Sequence, residues 1–118
     1  MTRLNFRFTE SADREIIEIL ETTNKRFGPA ASRRYEVLIG QAVRDLTEDP
    51  ARVGVQSIGG RLHYHIRHSR NRVPGHRVRE PRHILVCKIV SGVLVVMAVG
   101  HDAMEEEMTK RIEEGEAG

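Results

Sequence analysis

The sequence predicts a mixed α/β (α+β) fold, in which an N-terminal hairpin of two helices packs on a small, curved, mainly antiparallel sheet and a short C-terminal helix follows. Three observations predict it. Apolar residues recur at helical spacing in the first half, apolar and polar residues alternate in the second half, and Gly and Pro separate these stretches. The 118 residues suit one domain over 1-118, because a chain of this length can bury one core.

The first half contains one predicted strand and two predicted helices. Alternation over residues 3–8 predicts a half-buried strand, which we expect at an edge of the sheet. Thr9 or Ser11 can cap the first helix, which ends at Gly28 because Pro29 follows. The apolar stripe of this helix comprises Ala12, Ile16, Ile19, Leu20, Thr23 and Phe27.

The second predicted helix begins near Pro29 and closes at Asp49 and Pro50. It has a cleaner stripe, formed by Tyr35, Leu38, Ile39, Ala42, Val43 and Leu46. Two amphipathic helices joined by a short turn form an antiparallel hairpin that needs an apolar surface to cover.

The second half supplies that surface as strands. Residues 61–67 alternate apolar side chains with Arg and His, which predicts a strand with one apolar and one cationic face. Residues 69–81 are predicted to form a long irregular loop, and 83–90 and 93–99 to form two strands around a tight turn. The sheet is therefore predicted to have three or four strands.

Charge is distributed unevenly along a chain whose net charge is +2. Between residues 61 and 83 there are seven arginines and five of the six histidines against one acid, Glu80. From Asp102 onward seven acids face Lys110 and Arg111, so an acidic tail is expected at about 105-118. A basic patch favours an anionic partner, such as nucleic acid, the ribosome or an acidic protein segment.

Several other classes of protein are disfavoured. No apolar run approaches the roughly 18 residues of a membrane span, and the N-terminus lacks the apolar stretch of a signal peptide, so a cytoplasmic location is expected. The single cysteine, Cys87, lies in an apolar run, which favours a buried, inert thiol.

His63 and His65 point the same way on the predicted strand and are candidate metal ligands. A metal site would need further ligands from His68, His83 or an acid. The alternative is an exposed strand face whose histidines lie among arginines that repel a cation. We favour the second interpretation and expect neither a metal nor another cofactor.

Five stretches resemble ParE-type toxins of the RelE/ParE superfamily: KRFG, LTEDP, GGRLHYHIRHSR, VREPRHILVCKI and VGHDAM, which together span residues 8–104. The resemblance implies the RelE/ParE fold and the toxin half of a type II toxin–antitoxin system. It further implies a cognate ParD-like antitoxin that forms a hetero-oligomer with the toxin, and DNA gyrase or its relative topoisomerase IV as the target. Toxins of the RelE branch instead cleave mRNA on the ribosome.

The choice between inhibitor and nuclease depends on the basic residues. RNA cleavage without a metal needs an acid, a base and cations for the phosphate. Arg61, Arg67 and Arg82 suit the cationic role, and His101 has a suitable unperturbed pKa of about 6.5. Because one histidine without a clear partner is weak evidence for catalysis, we expect His101 to have a structural or target-binding role, and predict no catalytic residue and no enzyme.

Two sets of contact residues are predicted. Exposed apolar residues on the outer edges of the helices, Ile17 and Val37, are candidates for a groove that takes an antitoxin segment. Residues that contact the target or the antitoxin are predicted at Arg61, Arg67, Arg70, Arg82, His101 and Met104. A third interpretation, a degenerate toxin fold kept only as a binding module, predicts no growth arrest.

Overall fold

The computed structural model describes residues 3–73, 75 and 77–117, so Pro74 of the predicted loop and the ends of the predicted domain, residues 1, 2 and 118, lie outside the described residues. The strands are β1 (Asn5–Phe8), β2 (Val55–Ile58), β3 (Arg61–His65), β4 (His83–Val90) and β5 (Val93–His101). They form one sheet in the order β1-β5-β4-β3-β2. The predicted mixed α/β fold is confirmed.

The sheet is mainly antiparallel, as predicted. β2, β3, β4 and β5 pair with one another antiparallel, whereas β1 lies parallel to β5, with Asn5 opposite Val93 and Phe8 opposite Val96. The first strand therefore occupies an edge, as its position in the chain suggested. Three or four strands were predicted, and the fifth strand, β2, was missed.

β2 was missed because its four residues carry little apolar alternation and are mostly exposed. Its pairing with β3 depends on the two-residue turn of Gly59 and Gly60, which have φ values of 57° and 78°. Two consecutive residues with positive φ match the twist of a hairpin, and glycine adopts this conformation without a steric penalty. The Gly59-Gly60 pair was the feature of the sequence that could have indicated a hairpin here.

The helices are α1 (Glu10–Phe27), α2 (Pro29–Glu48) and α3 (Glu105–Ala117), with 3-10 helices at Ile66–Arg72 and Asp102–Met104. Thr9 caps α1, because its hydroxyl accepts a hydrogen bond from the backbone N–H of Ala12 at 3.1 Å. The first 3-10 helix occupies the beginning of the stretch predicted as an irregular loop. None of the described helices combines the length and apolar character that crossing a membrane requires.

The core lies between the helical hairpin and one face of the sheet. Every residue of the predicted α2 stripe is buried. The α1 stripe is covered only in part, since Ala12 is buried, Ile16 is half-buried and the Phe27 side chain is 73% exposed. α1 packs on β5 near the β1 edge, and this position leaves one flank of the helix uncovered.

α3 covers the opposite face of the sheet. Met108 is 2% exposed and packs with Ile112 against Ile84, Val86 and Ala98. Gly100 permits this approach, because a Cβ atom there would lie 2.7 Å from the Met108 sulfur. The predicted acidic tail is therefore a docked helix over most of its length.

The prediction of an exposed cationic face on β3 is wrong. Arg61, His63 and His65 are 2%, 3% and 9% exposed, because α3 and the turn before it lie over them. Burial of a charged or polar group is tolerated when it has a partner, and acidic residues of the C-terminal segment supply the partners.

A buried carboxylate joins α2 to the segment after β3. Asp45 is 1% exposed, and four donors converge on it from Gln41, Arg52, Ser69 and Arg72 at 2.6–3.0 Å. The Tyr64 hydroxyl lies 2.7 Å from the Ser69 hydroxyl and extends this network into the core. The position of the first 3-10 helix therefore depends on one side chain of α2.

A second polar contact joins α2 to the sheet. The Tyr35 hydroxyl accepts a hydrogen bond from the backbone N–H of Arg82 at 3.1 Å and lies 2.5 Å from Nδ1 of His83. The hydroxyl can also donate its own hydrogen to Nδ1 of a neutral His83 ring. Burial, reinforced by the imidazole of His101, lowers the pKa of His83 to about 4.

Asp45→Asn tests the carboxylate network. Every neighbour of Asp45 is a donor, so an amide NH2 group would face another donor and two guanidinium groups would lose their counter-charge. We expect the free energy of unfolding to fall by about 3 kcal/mol, measured by urea denaturation. Glu36→Gln, which removes an exposed carboxylate from the same helix, is the matched control. Equal stability of the two variants would contradict the role given to Asp45.

His83 predicts a pH dependence of stability. Its pKa falls from 6.5 to about 4 on folding, so the contribution of the neutral ring is fully present above pH 6.5 and is lost as the pH falls toward 4. Allowing for partial solvent screening, we expect the loss to be about 2 kcal/mol. Urea denaturation at several pH values should give a shallower decline for His83→Gln than for the unmodified protein. Parallel curves would contradict the assignment.

Candidate functional site

The described residues between β3 and β4 include several exposed arginines. We call residues 66–82 the arginine segment, of which the structure describes residues 66–73, 75 and 77–82. Arg67, Arg77, Arg79 and Arg82 are exposed, whereas Arg72 is tied to Asp45. Arg70 is half-buried and donates a hydrogen bond to the backbone carbonyl of Arg79 at 2.8 Å, so it shapes the segment from within.

The fold exposes some of the predicted contact residues and buries others. Arg67 and Arg82 lie on the surface at the two ends of the arginine segment. Arg61 lies beneath α3, on the strip of β3 that the C-terminal segment covers, and does not belong to the exposed surface. Met104 is 44% exposed at the end of the second 3-10 helix.

Asp102 brings together side chains from three strand ends. Its carboxylate lies 3.0 Å from Nε2 of His65, 3.3 Å from Nδ1 of His101 and 3.9 Å from Nε of Arg82. Its backbone N–H also donates to the carbonyl of Arg82 at 2.7 Å. The hydrogen bond from His65, together with the nearby Arg82 charge, lowers the pKa of Asp102 below its usual value.

Three histidines lie around Asp102, and each uses Nδ1 for a hydrogen bond within the fold. Nδ1 of His65 accepts from the N–H of Arg67, and Nδ1 of His101 accepts from the N–H of Ala103, both at 3.1 Å. Nδ1 of His83 shares a hydrogen bond with the hydroxyl of Tyr35. His65 and His101 therefore act as helix caps, and His65 also donates from Nε2 to Asp102.

Two groups of the cluster, His83 and Tyr35, are poorly suited to acid–base chemistry near neutral pH. A general acid or base works best with a pKa close to the working pH. The pKa of His83 is about 4, and burial raises the pKa of Tyr35 to about 12. His101 keeps Nε2 on an exposed ring, 5.6 Å from the ring of His83. Together with Arg82 it forms the exposed polar part of the cluster.

Neither a nucleophilic thiol nor a metal cluster is found in the described parts of the chain. Cys87 is fully buried, and burial raises its pKa to about 12, so the thiolate is not accessible at neutral pH. His63 is paired with Glu105 rather than with another histidine. Within residues 3–73, 75 and 77–117 no group of three ligating side chains could hold a metal ion.

The helical hairpin has a partly uncovered apolar flank. Ile17 is 55% exposed on α1, next to the half-buried Ile16, Ile19 and Leu20. Val37, predicted as the other exposed position, is half-buried and packs against the core from α2. Within the helical hairpin, the large exposed apolar side chains therefore lie on α1.

The sequence interpretation missed the acidic partners of the basic residues. Glu105, Met108 and Ile112 recur at i, i+3 and i+7, so one face of the predicted tail combines an acid with apolar residues. This spacing was the signal that the tail would dock. Asp45 gave no local signal, because its partners Ser69 and Arg72 are 24 and 27 residues away.

The chain matches known proteins in sequence pattern and in fold. A model of the ParE toxin of the type II toxin–antitoxin system parDE matches residues 6–106. No curated protein resembles the chain closely enough in sequence to count as a relative.

Two solved structures share the fold. The chromosomal ParDE system of P. aeruginosa aligns with a TM-score of 0.62 at 11% identity, covering 84% of this chain and 96% of that one. The RelBE2 toxin–antitoxin complex of Mycobacterium tuberculosis aligns with a TM-score of 0.54 at 17% identity, covering 85% and 99%. Together with the family match over most of the sequence, these results show that the chain belongs to the ParE toxin family of type II toxin–antitoxin systems.

Proposed function

We propose that the chain is a cytoplasmic toxin that inhibits DNA gyrase by binding it, without chemistry of its own, and that a cognate ParD-like antitoxin neutralises it. The observation that carries the proposal is the use of histidine in the cluster around Asp102. His65 and His101 cap helices, and His83 is held neutral against Tyr35. What remains exposed is a cationic surface suited to recognition.

The surface proposed to contact gyrase contains Arg67, Arg82 and His101. Arg82 is 59% exposed as a side chain and His101 43%, and both lie beside Asp102, whose backbone hydrogen bond to Arg82 fixes their relative positions. Arginine suits such a role, because its planar fork binds carboxylates and phosphates in a bidentate manner. A complex of gyrase with DNA offers both groups.

A ribosome-dependent mRNA endonuclease is the second candidate. The observation that favours it is the proximity of an exposed imidazole, His101, to a guanidinium, Arg82, across Asp102. A nuclease would still need a second acid–base group, and the pKa values of the nearby Tyr35 and His83 lie far from neutrality.

The antitoxin is proposed to bind the uncovered flank of α1. An amphipathic helix can place its apolar face against Ile17 and the half-buried Ile16 and Leu20. Segments that fold on binding lose conformational entropy, so the apolar contact has to supply most of the affinity. Exposed ion pairs with the arginine segment would chiefly raise the association rate, since each contributes only about 0–1 kcal/mol and is screened by salt.

Arg67→Ala combined with Arg82→Ala tests the gyrase surface. With the purified proteins, we expect the concentration for half-maximal inhibition of supercoiling to rise about tenfold, and cleavage complexes to decrease in parallel. Arg26→Ala with Arg33→Ala removes the same charge from exposed positions on the hairpin and should have little effect.

The outcomes separate the candidate functions. Cleavage of mRNA in a translation extract without any effect on gyrase would replace the inhibitor by the nuclease. Absence of growth arrest on expression without the antitoxin would indicate a fold kept only for binding.

Ile17→Asp tests the antitoxin surface. A carboxylate on the apolar flank of α1 should weaken the complex with the cognate antitoxin about tenfold or more, measured by calorimetry. Val53→Asp, at a valine that is 86% exposed outside the hairpin, is the matched control and should bind normally. In the unmodified pair, raising the ionic strength should slow association more than it weakens the equilibrium complex. Outright dissociation at high salt would place the antitoxin on the arginine segment instead.

A further inference from the structure

Three alternate side chains of β3 are each paired with a carboxylate of the C-terminal segment. The pairs are Arg61 with Glu113 at 3.6 Å, His63 with Glu105 at 2.9 Å and His65 with Asp102 at 3.0 Å. Alternate residues of a strand lie on one face, so the basic residues form a continuous strip. The acidic segment covers this strip over its whole length.

The basic residues of the strip and their acidic partners differ in exposure. The basic side chains are 3%, 2% and 9% exposed, whereas the carboxylate side chains of Glu113, Glu105 and Asp102 are 59%, 35% and 27% exposed. The acids therefore reach the strip from solvent, and they would return to solvent if the segment moved away. The basic side chains would then be uncovered on the surface of the sheet.

Few apolar residues hold α3 on the sheet. Met108 is its one buried residue within the described side chains, and Ile112 is half-buried beside it. A helix of 13 residues is marginal in water without packing, so α3 depends on this contact and on the ion pairs to stay folded. Segments with few buried apolar contacts open more readily than the core.

His63 has one ring nitrogen that the fold leaves unsatisfied. Its Nδ1 is paired with Glu105, but its Nε2 is buried and has no hydrogen-bond partner among the described residues. A buried ring nitrogen without a partner is unfavourable. The strip beneath α3 therefore contains a polar atom that the described residues leave unsatisfied.

We propose that the segment Asp102 to Ala117 is an autoinhibitory latch, and that the strip formed by Arg61, His63 and His65 is a site for phosphate-bearing anions that opens when α3 lifts. The carboxylates of the segment occupy the strip in place of the ligand. The strip shares Asp102 with the cluster around Arg82 and His101, but its basic residues are not part of the surface proposed to contact gyrase, and its tests do not use gyrase.

Glu105→Gln combined with Glu113→Gln tests the latch. Removing two of the three counter-charges should raise the hydrogen-exchange rate of the α3 amides about tenfold, while the amides of β4 and β5 exchange as before. Glu107→Gln with Glu114→Gln removes the same charge from exposed positions of the helix and should leave exchange unchanged. Equal exchange in the two variants, or faster exchange throughout the sheet, would overturn the latch.

Inorganic tripolyphosphate tests the site under the latch. NMR titration of the imidazole signals should show shifts of His63 and His65 at about tenfold lower concentration in the Glu105→Gln, Glu113→Gln variant than in its control. Met108→Ala weakens the apolar packing of α3 on the sheet and leaves every charge in place. It should also lower the tripolyphosphate concentration at which the His63 and His65 signals shift. Shifts confined to His68 and His101, outside the strip, would overturn the site.

Discussion

The buried carboxylate of Asp45 is the constraint on which the arrangement of the basic residues depends. A carboxylate with no exposure is stable only when its oxygens are fully paired, and here four donors from three parts of the chain meet that need. Two of them come from the first 3-10 helix and one from Arg52. The direction in which the arginine segment leaves β3 is thereby fixed from α2, and so is the surface on which Arg67 is exposed.

The two faces of the sheet are held by different forces. The face toward the helical hairpin is apolar and closely packed, and it supplies the main hydrophobic stabilisation. The opposite face combines a small apolar cluster around Met108 with ion pairs to β3. Salt and pH act strongly on the second kind of contact and weakly on the first. One face of the sheet is thus held mainly by apolar packing, whereas the contact of α3 with the other face depends on charge.

The histidine-rich cluster illustrates why residue type alone does not define a catalytic site. Its imidazoles lie within reach of one another and of Asp102, as catalytic groups would. Yet His65 and His101 accept hydrogen bonds from backbone N–H groups, and burial keeps His83 neutral. A fold does not by itself define a function, so function has to be argued from how each nitrogen is used.

The sequence by itself determined the local elements: the α2 stripe, the Thr9 cap, the paired strands of the second half and the edge position of β1. Periodicity and capping involve residues a few positions apart, so they can be recognised along the chain. Only the tertiary structure decided that Asp45 binds Ser69 and Arg72, and that Glu105 covers His63. Charge can be counted in a sequence, but which opposite charge it meets depends on how distant segments pack.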